Sequence, residues 1–311
     1  MMNKLTIVLI LLLLTGHNSN VKGQELNIPL YSGTIPNSKV SGTKEIIEKK
    51  DIIIYRNVQI PEIAVYLPTK MYSTGQCVVI CPGGGYWQLS YDLEGTDIAR
   101  FFNSIGVAAV VLKYRLPSHD YCIEPHKAPL MDAQRAMRLV RFNASKWNID
   151  PCKIGIMGFS AGGHLASTLG THFDYGNGSS ADSVERISCR PDFMILMYPV
   201  ISFTDTAKHT GSGKNLLGEY PDKDLIIMYS NELQVKADTP PTFFVHADND
   251  EGVPVENTLL MYKALRARNI PVELHILSEG GHGFGLATNN EHINSWTNNL
   301  KLWLTSLSIT K

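Results

Sequence analysis

Cysteine is scarce. Five residues in 311, at Cys77, Cys81, Cys122, Cys152 and Cys189, are too few and odd in number for a fold built on disulfides. Cys77 and Cys81 lie four apart on one apparent strand, about 13 Å of rise, and cannot bond each other. Cys152 and Cys189 each precede a predicted strand and are the one pair expected to have a chance of meeting. An excess of charge of one sign is also lacking, with 28 Lys and Arg against 29 Asp and Glu. No basic patch invites nucleic acid or anionic lipid. Long apolar runs are missing too: the longest, Leu5 to Leu14, is roughly half of the twenty or so residues that a bilayer demands, so no membrane anchor is expected. There is no internal repeat and no polar low-complexity tract. No set of His and Asp has metal-ligand spacing, so no metal site is expected. Nothing in the sequence speaks to oligomeric state.

What is present begins with a leader. Met1 to Lys4, the short apolar run and the small-residue site at Val21-Lys-Gly23 read as a signal peptide over residues 1–23, which implies export to the periplasm or the medium. Its removal takes away Lys4 and Lys22 and no acid, leaving the mature chain slightly more acidic. With 44% hydrophobic residues, the remainder can bury a sheet on both faces. Short runs rich in β-branched residues, at 51–58, 63–67, 77–81, 107–113, 153–157, 193–198, 242–246 and 272–277, read as strands. Helical periodicity occupies 95–104, 128–147, 161–172, 255–268 and 290–307. This alternation predicts an α/β fold with a mostly parallel sheet and helices on both faces. Residues 24–50 read as a lead-in arm, and 51–311 as one catalytic domain that opens with an antiparallel edge hairpin over 51–67. Polar, glycine-bearing residues 201–239 read as a cap-like insertion.

Gly158-Phe159-Ser160-Ala161-Gly162 stands between a predicted strand and a predicted helix. The bare G-x-S-x-G pattern is common by chance, but this position is not. A serine on a tight strand-to-helix turn needs glycines on either side, and the helix that follows aims its amides where negative charge grows in acyl transfer. Such a nucleophile needs a base and an acid in the order Ser, Asp or Glu, His. Asp250 follows the strand at 242–246 and His282 the strand at 272–277, both at carboxyl ends, where open α/β sheets build sites. Asp250 shares its loop with Asp248 and Glu251; Asp250 is the preferred acid and Asp248 the substitute.

The oxyanion requires two or more donors. Ala161 supplies one amide, directly after the nucleophile. The loop Pro82-Gly83-Gly84-Gly85 follows the strand at 77–81, and its glycines can turn amides inward; Gly84 and Gly85 are the candidates. Tyr86, Trp87 and Tyr91, beside this loop, have flat faces suited to a sugar ring, although packing explains them equally well.

Taken with Glu94-Gly95, Lys113-Tyr114-Arg115-Leu116, Asp132-Ala-Gln-Arg135 and Val253-Pro254, these motifs make residues 50–308 resemble the acetyl-esterase branch of the α/β hydrolases. Members of that branch act on acetylated xylan and related plant polysaccharides, and they are kin to the hormone-sensitive-lipase type. The resemblance implies hydrolysis of an acylated carbohydrate by Ser160, Asp250 and His282 without a cofactor. Pro82 departs from the His-Gly-Gly-Gly loop of the lipase-like relatives, so this loop must be supported differently. No chemistry is assigned to Glu94, and Asp132 and Arg135 read as a structural ion pair or helix cap. The competing readings are a peptidase or lipase of the same fold, or a non-catalytic carbohydrate-binding protein that retains it.

Overall fold

The computed structural model describes residues 25–204 and 207–307; the expected leader lies outside them. Among the described residues the strands are β1 (Glu25–Pro29), β2 (Ile46–Lys49), β3 (Ile53–Arg56), β4 (Glu62–Tyr66), β5 (Cys77–Cys81), β6 (Gln88–Ser90), β7 (Ala108–Lys113), β8 (Ile154–Phe159), β9 (Met194–Met197), β10 (Thr242–Ala247) and β11 (Val272–Leu277). The helices are α1 (Asp97–Ser104), α2 (Ala128–Phe142), α3 (Ala161–Thr171), α4 (Thr210–Leu217), α5 (Lys223–Met228), α6 (Glu256–Ala267), α7 (Glu291–Asn294) and α8 (Trp296–Leu307).

Eight strands form one sheet in the order β1-β4-β7-β5-β8-β9-β10-β11. From β7 to β11 every neighbouring pair is parallel, while β4 runs antiparallel to β1 and β7. Period-two alternation explains why the central strands are apolar at every position. On β5, Cys77, Val79 and Cys81 face a core that also holds Met137 and Val140 of α2, Leu165 and Leu169 of α3 and Leu265 of α6. Val78 and Ile80 point to the other face, against Phe102 of α1 and Trp296, Leu300 and Trp303 of α8. A strand covered on both sides has no polar face to show.

The antiparallel edge is present, but its pairing differs from the expected hairpin. β3 and β4 do not pair with each other: β3 joins β2 and β6 in a separate three-stranded sheet. The partner of β4 is β1, with Glu25 opposite Tyr66 and Pro29 opposite Glu62. The segment read as a lead-in arm therefore supplies an edge strand to each sheet. Short strands of this kind are exposed along one edge and carry little periodicity, which is why β1, β2 and β6 escaped the sequence reading. The 128–147 helix stops at Phe142, and the C-terminal helix breaks at Ser295 into α7 and α8. Cys152 is exposed, Cys189 is buried, and both are free thiols, so that pairing is not made.

Asp132 and Arg135 each form an ion pair, though not with one another. Arg135 Nη1 reaches Asp182 and Glu185, both at 2.7 Å. Asp132 and Arg115 are fully buried together, with Arg115 Nε and Nη2 on the carboxylate at 2.9 and 2.7 Å and the Arg115 amide at 2.9 Å. Arg115 Nη1 also donates to the Pro36 carbonyl at 2.6 Å, which ties the loop after β7 to α2 and to the N-terminal segment. Removing one partner leaves a buried charge without compensation. Asp132→Ala is therefore expected to lower stability by about 3–5 kcal/mol, read as a fall in the urea midpoint.

Candidate active site

The sheet has a topological switch point at β5. From it the chain goes first to β7 on one side and then to β8 on the other, so the loops leaving β5 and β8 diverge and open a crevice at their carboxyl ends. Because β5 and β8 pair in register, with Cys81 opposite Gly158, the glycine loop and the serine turn lie side by side.

Ser160 occupies that turn with φ +51° and ψ −119°, a conformation L-residues seldom hold without tertiary support. The flanking glycines supply the space. A Cβ on Gly158 would sit 2.0 Å from the Gly162 carbonyl oxygen, and one on Gly162 would sit 2.1 Å from that of Cys81. His282 Nε2 lies 2.9 Å from Ser160 Oγ, and His282 Nδ1 lies 2.7 Å from Asp250 Oδ2. The structure thus brings Ser160, His282 and Asp250 into one hydrogen-bonded chain. Asp248 is exposed on the same loop, whereas Asp250 is buried and its Oδ1 accepts the Gly252 and Val253 amides at 2.9 and 2.8 Å. Burial opposes ionisation of Asp250, but the hydrogen bonds from His246, His282 and Val253 outweigh it and hold the carboxyl well below the ordinary range.

Beside the serine, Gly83 makes the nearest approach: a Cβ there would meet Ser160 Cβ at 3.0 Å and the Phe159 carbonyl oxygen at 2.6 Å. Its own amide is engaged, donating to Glu94 Oε2 at 2.9 Å. Among the described residues the amides of Gly84 and Gly85 donate to no group, and Ala161 opens α3, where an amide has no carbonyl one turn earlier. Gly84 (φ +129°) also packs hard against the Gln88 backbone, 2.2 Å from where a Cβ would lie.

Support for the loop comes from residues that sequence reasoning left without a role. Glu94 is buried in a π-helical turn at Asp92–Thr96. Its second oxygen accepts the Tyr198 hydroxyl at 2.9 Å, and that hydroxyl in turn accepts the Gly285 amide at 3.1 Å. One carboxyl group therefore joins the glycine loop, the strand end after β9 and the loop that carries His282. Burial raises the Glu94 pKa, against the hydrogen bonds from Tyr198 and Gly83. The Tyr114 hydroxyl donates to the Pro82 carbonyl at 2.8 Å, bracing the loop from below where the related pattern has a histidine. His246 was missed as well, although it is the penultimate residue of β10 and shares a face with Phe244; that parity was the available signal.

The three aromatic candidates separate. Tyr86 is 2% exposed, its hydroxyl is 2.8 Å from His164 Nδ1, and its ring packs on Tyr114; it is a core residue that borders, almost wholly buried, the cleft that Trp87 lines. Tyr91 packs on Tyr55 with centroids 4.6 Å apart, joining the small sheet to the π-helical turn. Trp87 is 60% exposed and lines a cleft of about 400 Å³ with His119, His126, Asn215 and Glu219. The far wall belongs to α4, within the 201–239 segment, which Asn215 Nδ2 ties to the Gly85 carbonyl at 2.8 Å.

A family model, BD-FAE, matches residues 63–265, a span that holds Ser160, Asp250 and the glycine loop. The chain belongs to the BD-FAE family. Its fold is that of the α/β hydrolases. It is 37% identical over 254 residues to an acetylxylan esterase of Xylanibacter ruminicola, covering 80% of this chain and 49% of that protein. It is 40% identical over 238 residues to endo-1,4-beta-xylanase B of Butyrivibrio fibrisolvens, covering 76% and 36%. The chain thus spans half or less of these two curated relatives. A crystal structure of an acetyl ester-xyloside bifunctional hydrolase from Caldicellulosiruptor lactoaceticus superposes with a TM-score of 0.80 at 40% identity, covering 92% of this chain and 97% of that one.

Within this BD-FAE chain, His164 links the glycine loop to the insertion. It is fully buried, its Nε2 donates to the Tyr229 carbonyl at 2.8 Å, and its Nδ1 accepts from Tyr86. Burial pulls its pKa down from 6.5 to about 4, against the Tyr229 hydrogen bond. Unfolded chains bind a proton there below about pH 6.5 that the folded chain refuses until about pH 4, so stability falls as pH drops through that window. The loss is on the order of 3 kcal/mol. Urea unfolding at pH 7 and pH 4.5 should show it, and the pH dependence should shrink in His164→Gln.

Proposed function

We propose that this chain is a secreted serine esterase that removes short acyl groups, acetyl first, from plant polysaccharides or oligosaccharides such as acetylated xylan or pectin. The observation that carries the reading is the unbroken chain from Ser160 Oγ through His282 to Asp250, set beside the Gly84 and Gly85 amides, which donate to no group among the described residues. His282 Nε2 takes the serine proton as Oγ attacks the ester carbonyl. The amides of Ala161, Gly84 and Gly85 receive the oxyanion, and the acyl group passes to Oγ as the sugar hydroxyl leaves with the proton from His282. A water activated by His282 then releases the acid. Asp250, ionised throughout, holds Nδ1 protonated so that Nε2 faces the serine.

The acetyl and carbohydrate assignments rest on the BD-FAE match and on the names of the relatives. The cleft at Trp87 supports them. Its charges are balanced, since Lys214 pairs with Glu219 at 2.9 Å, which suits a neutral polyhydroxylated group better than an ion. An exposed indole beside polar side chains can stack on the C–H face of a pyranose. Secretion rests on the leader-like residues 1–23.

Ser160→Ala is expected to lose release of 4-nitrophenol from 4-nitrophenyl acetate and of acetate from acetylated xylan by a factor of about a million, as for other triad nucleophiles, and to escape labelling by a fluorophosphonate. Wild-type activity retained in that variant would end the proposal. Trp87 is the exposed one of the four tryptophans, with Trp147, Trp296 and Trp303 buried. Xylotetraose added to the Ser160→Ala protein should therefore shield tryptophan fluorescence from iodide quenching, and Trp87→Ala should abolish that shielding.

A further inference from the structure

Asp250 serves two imidazoles. Its Oδ2 lies 2.7 Å from His282 Nδ1 and 3.2 Å from His246 Nε2. His246 is fully buried, and its Nε2 also lies 2.9 Å from the Val253 carbonyl. A carbonyl can only accept, so Nε2 carries the proton and donates it to that carbonyl, with the carboxylate oxygen beside the same N–H at 3.2 Å. The other nitrogen, Nδ1, lies 2.8 Å from Thr258 Oγ1, on α6 and likewise buried. The threonine hydroxyl donates to Nδ1 and so fixes the tautomer that keeps the proton on Nε2, beside Asp250. Thr258 and His246 thus stand behind the hydrogen-bonded chain of Asp250, His282 and Ser160, with His246 Nε2 in close contact with the carboxylate.

We propose that His246 is a positioning residue of the triad: by taking part of the charge on Asp250 Oδ2, it limits how tightly the carboxylate holds the protonated His282, and Thr258 keeps it set for that task. This rests on the serine-esterase reading for its catalytic meaning, but not for its physical content. A carboxylate oxygen with one N–H dipole already beside it is a weaker acceptor for another. Without the His246 donor, the charge on Oδ2 falls entirely to His282, which then keeps its proton to higher pH and is a base over a narrower range.

The same carboxylate is otherwise saturated, since Oδ1 holds the Gly252 and Val253 amides. Among the described residues only His282 and His246 bring an N–H to Oδ2. The remaining titratable groups around His282 are the buried Glu94 carboxyl, His209 at the start of α4, and Tyr198, whose ring meets the imidazole at 5.1 Å between centroids. None of them changes in the variants below.

The test follows the Cε1–H resonance of His282 against pH by NMR, with no substrate. His246→Leu removes the N–H beside Oδ2 and should raise the midpoint by about half a unit, the scale of an ordinary net polar contact. His246→Gln, whose amide N–H can stand where Nε2–H stood, should restore most of the wild-type midpoint. Thr258→Val leaves the imidazole but frees its tautomer, and should shift the midpoint the same way by a smaller amount. The acid limb of kcat/KM for 4-nitrophenyl acetate should move in parallel. An unchanged or lowered midpoint in His246→Leu, or equal shifts in the Leu and Gln variants, overturns the proposal. Should the Leu variant fail to fold, an unchanged midpoint in Thr258→Val overturns it alone. Since the NMR titration needs no turnover, an inactive wild type would sink the esterase reading and leave this result standing or falling separately.

Discussion

Everything at the site depends on the pairing of β5 with β8, Cys81 opposite Gly158. Parallel strands deliver their carboxyl ends to the same edge of a sheet, and adjacent strands lie less than about 5 Å apart. The loop that follows β5 is thereby held against the turn that follows β8. This closeness is what demands the glycines: the Gly162 position faces the Cys81 carbonyl and Gly83 faces the Phe159 carbonyl, with no room for a side chain at either. Strand register, turn strain and the aim of the loop amides are one constraint seen from three sides.

Around that contact the protein uses buried carboxyl groups as fixed points. Glu94 collects the Gly83 amide and the Tyr198 hydroxyl, Asp250 collects two amides and two imidazoles, and Asp132 collects the Arg115 fork. Each has both oxygens occupied, which is what makes burial of a carboxyl tolerable. The three differ in consequence. Asp132 holds the framework, Glu94 joins the glycine loop to the histidine loop, and Asp250 orients the imidazole. Away from water such hydrogen bonds keep their geometry without reorganising, which a site for a developing oxyanion requires.

Much of this was legible beforehand. The central strands and their helices announced themselves because burial on both faces leaves continuous apolar runs, and the serine turn did so because its glycines and its place between strand and helix are coupled by sterics. Asp250 and His282 were found from chain order and strand ends. The edges were not legible: β1 and β2 are short and mostly exposed and β6 has only three residues, so neither apolar continuity nor alternation marks them, and the expected 51–67 hairpin divided between two sheets. Trp87 and Tyr86, adjacent in sequence, ended one in a cleft and one in the core, because Tyr86 has a positive φ of 58° that turns its ring inward onto His164.

The sequence by itself determined the class of fold, the family resemblance and the order of three reactive side chains, since these follow from local patterns of burial and turn chemistry. Tertiary structure alone decided which acid faces the histidine, that Glu94 anchors the glycine loop, and that a second histidine shares Asp250. Those facts depend on contacts between residues from 4 to 104 positions apart, and distance along a chain carries no information about which polar atoms will meet once strands are in register.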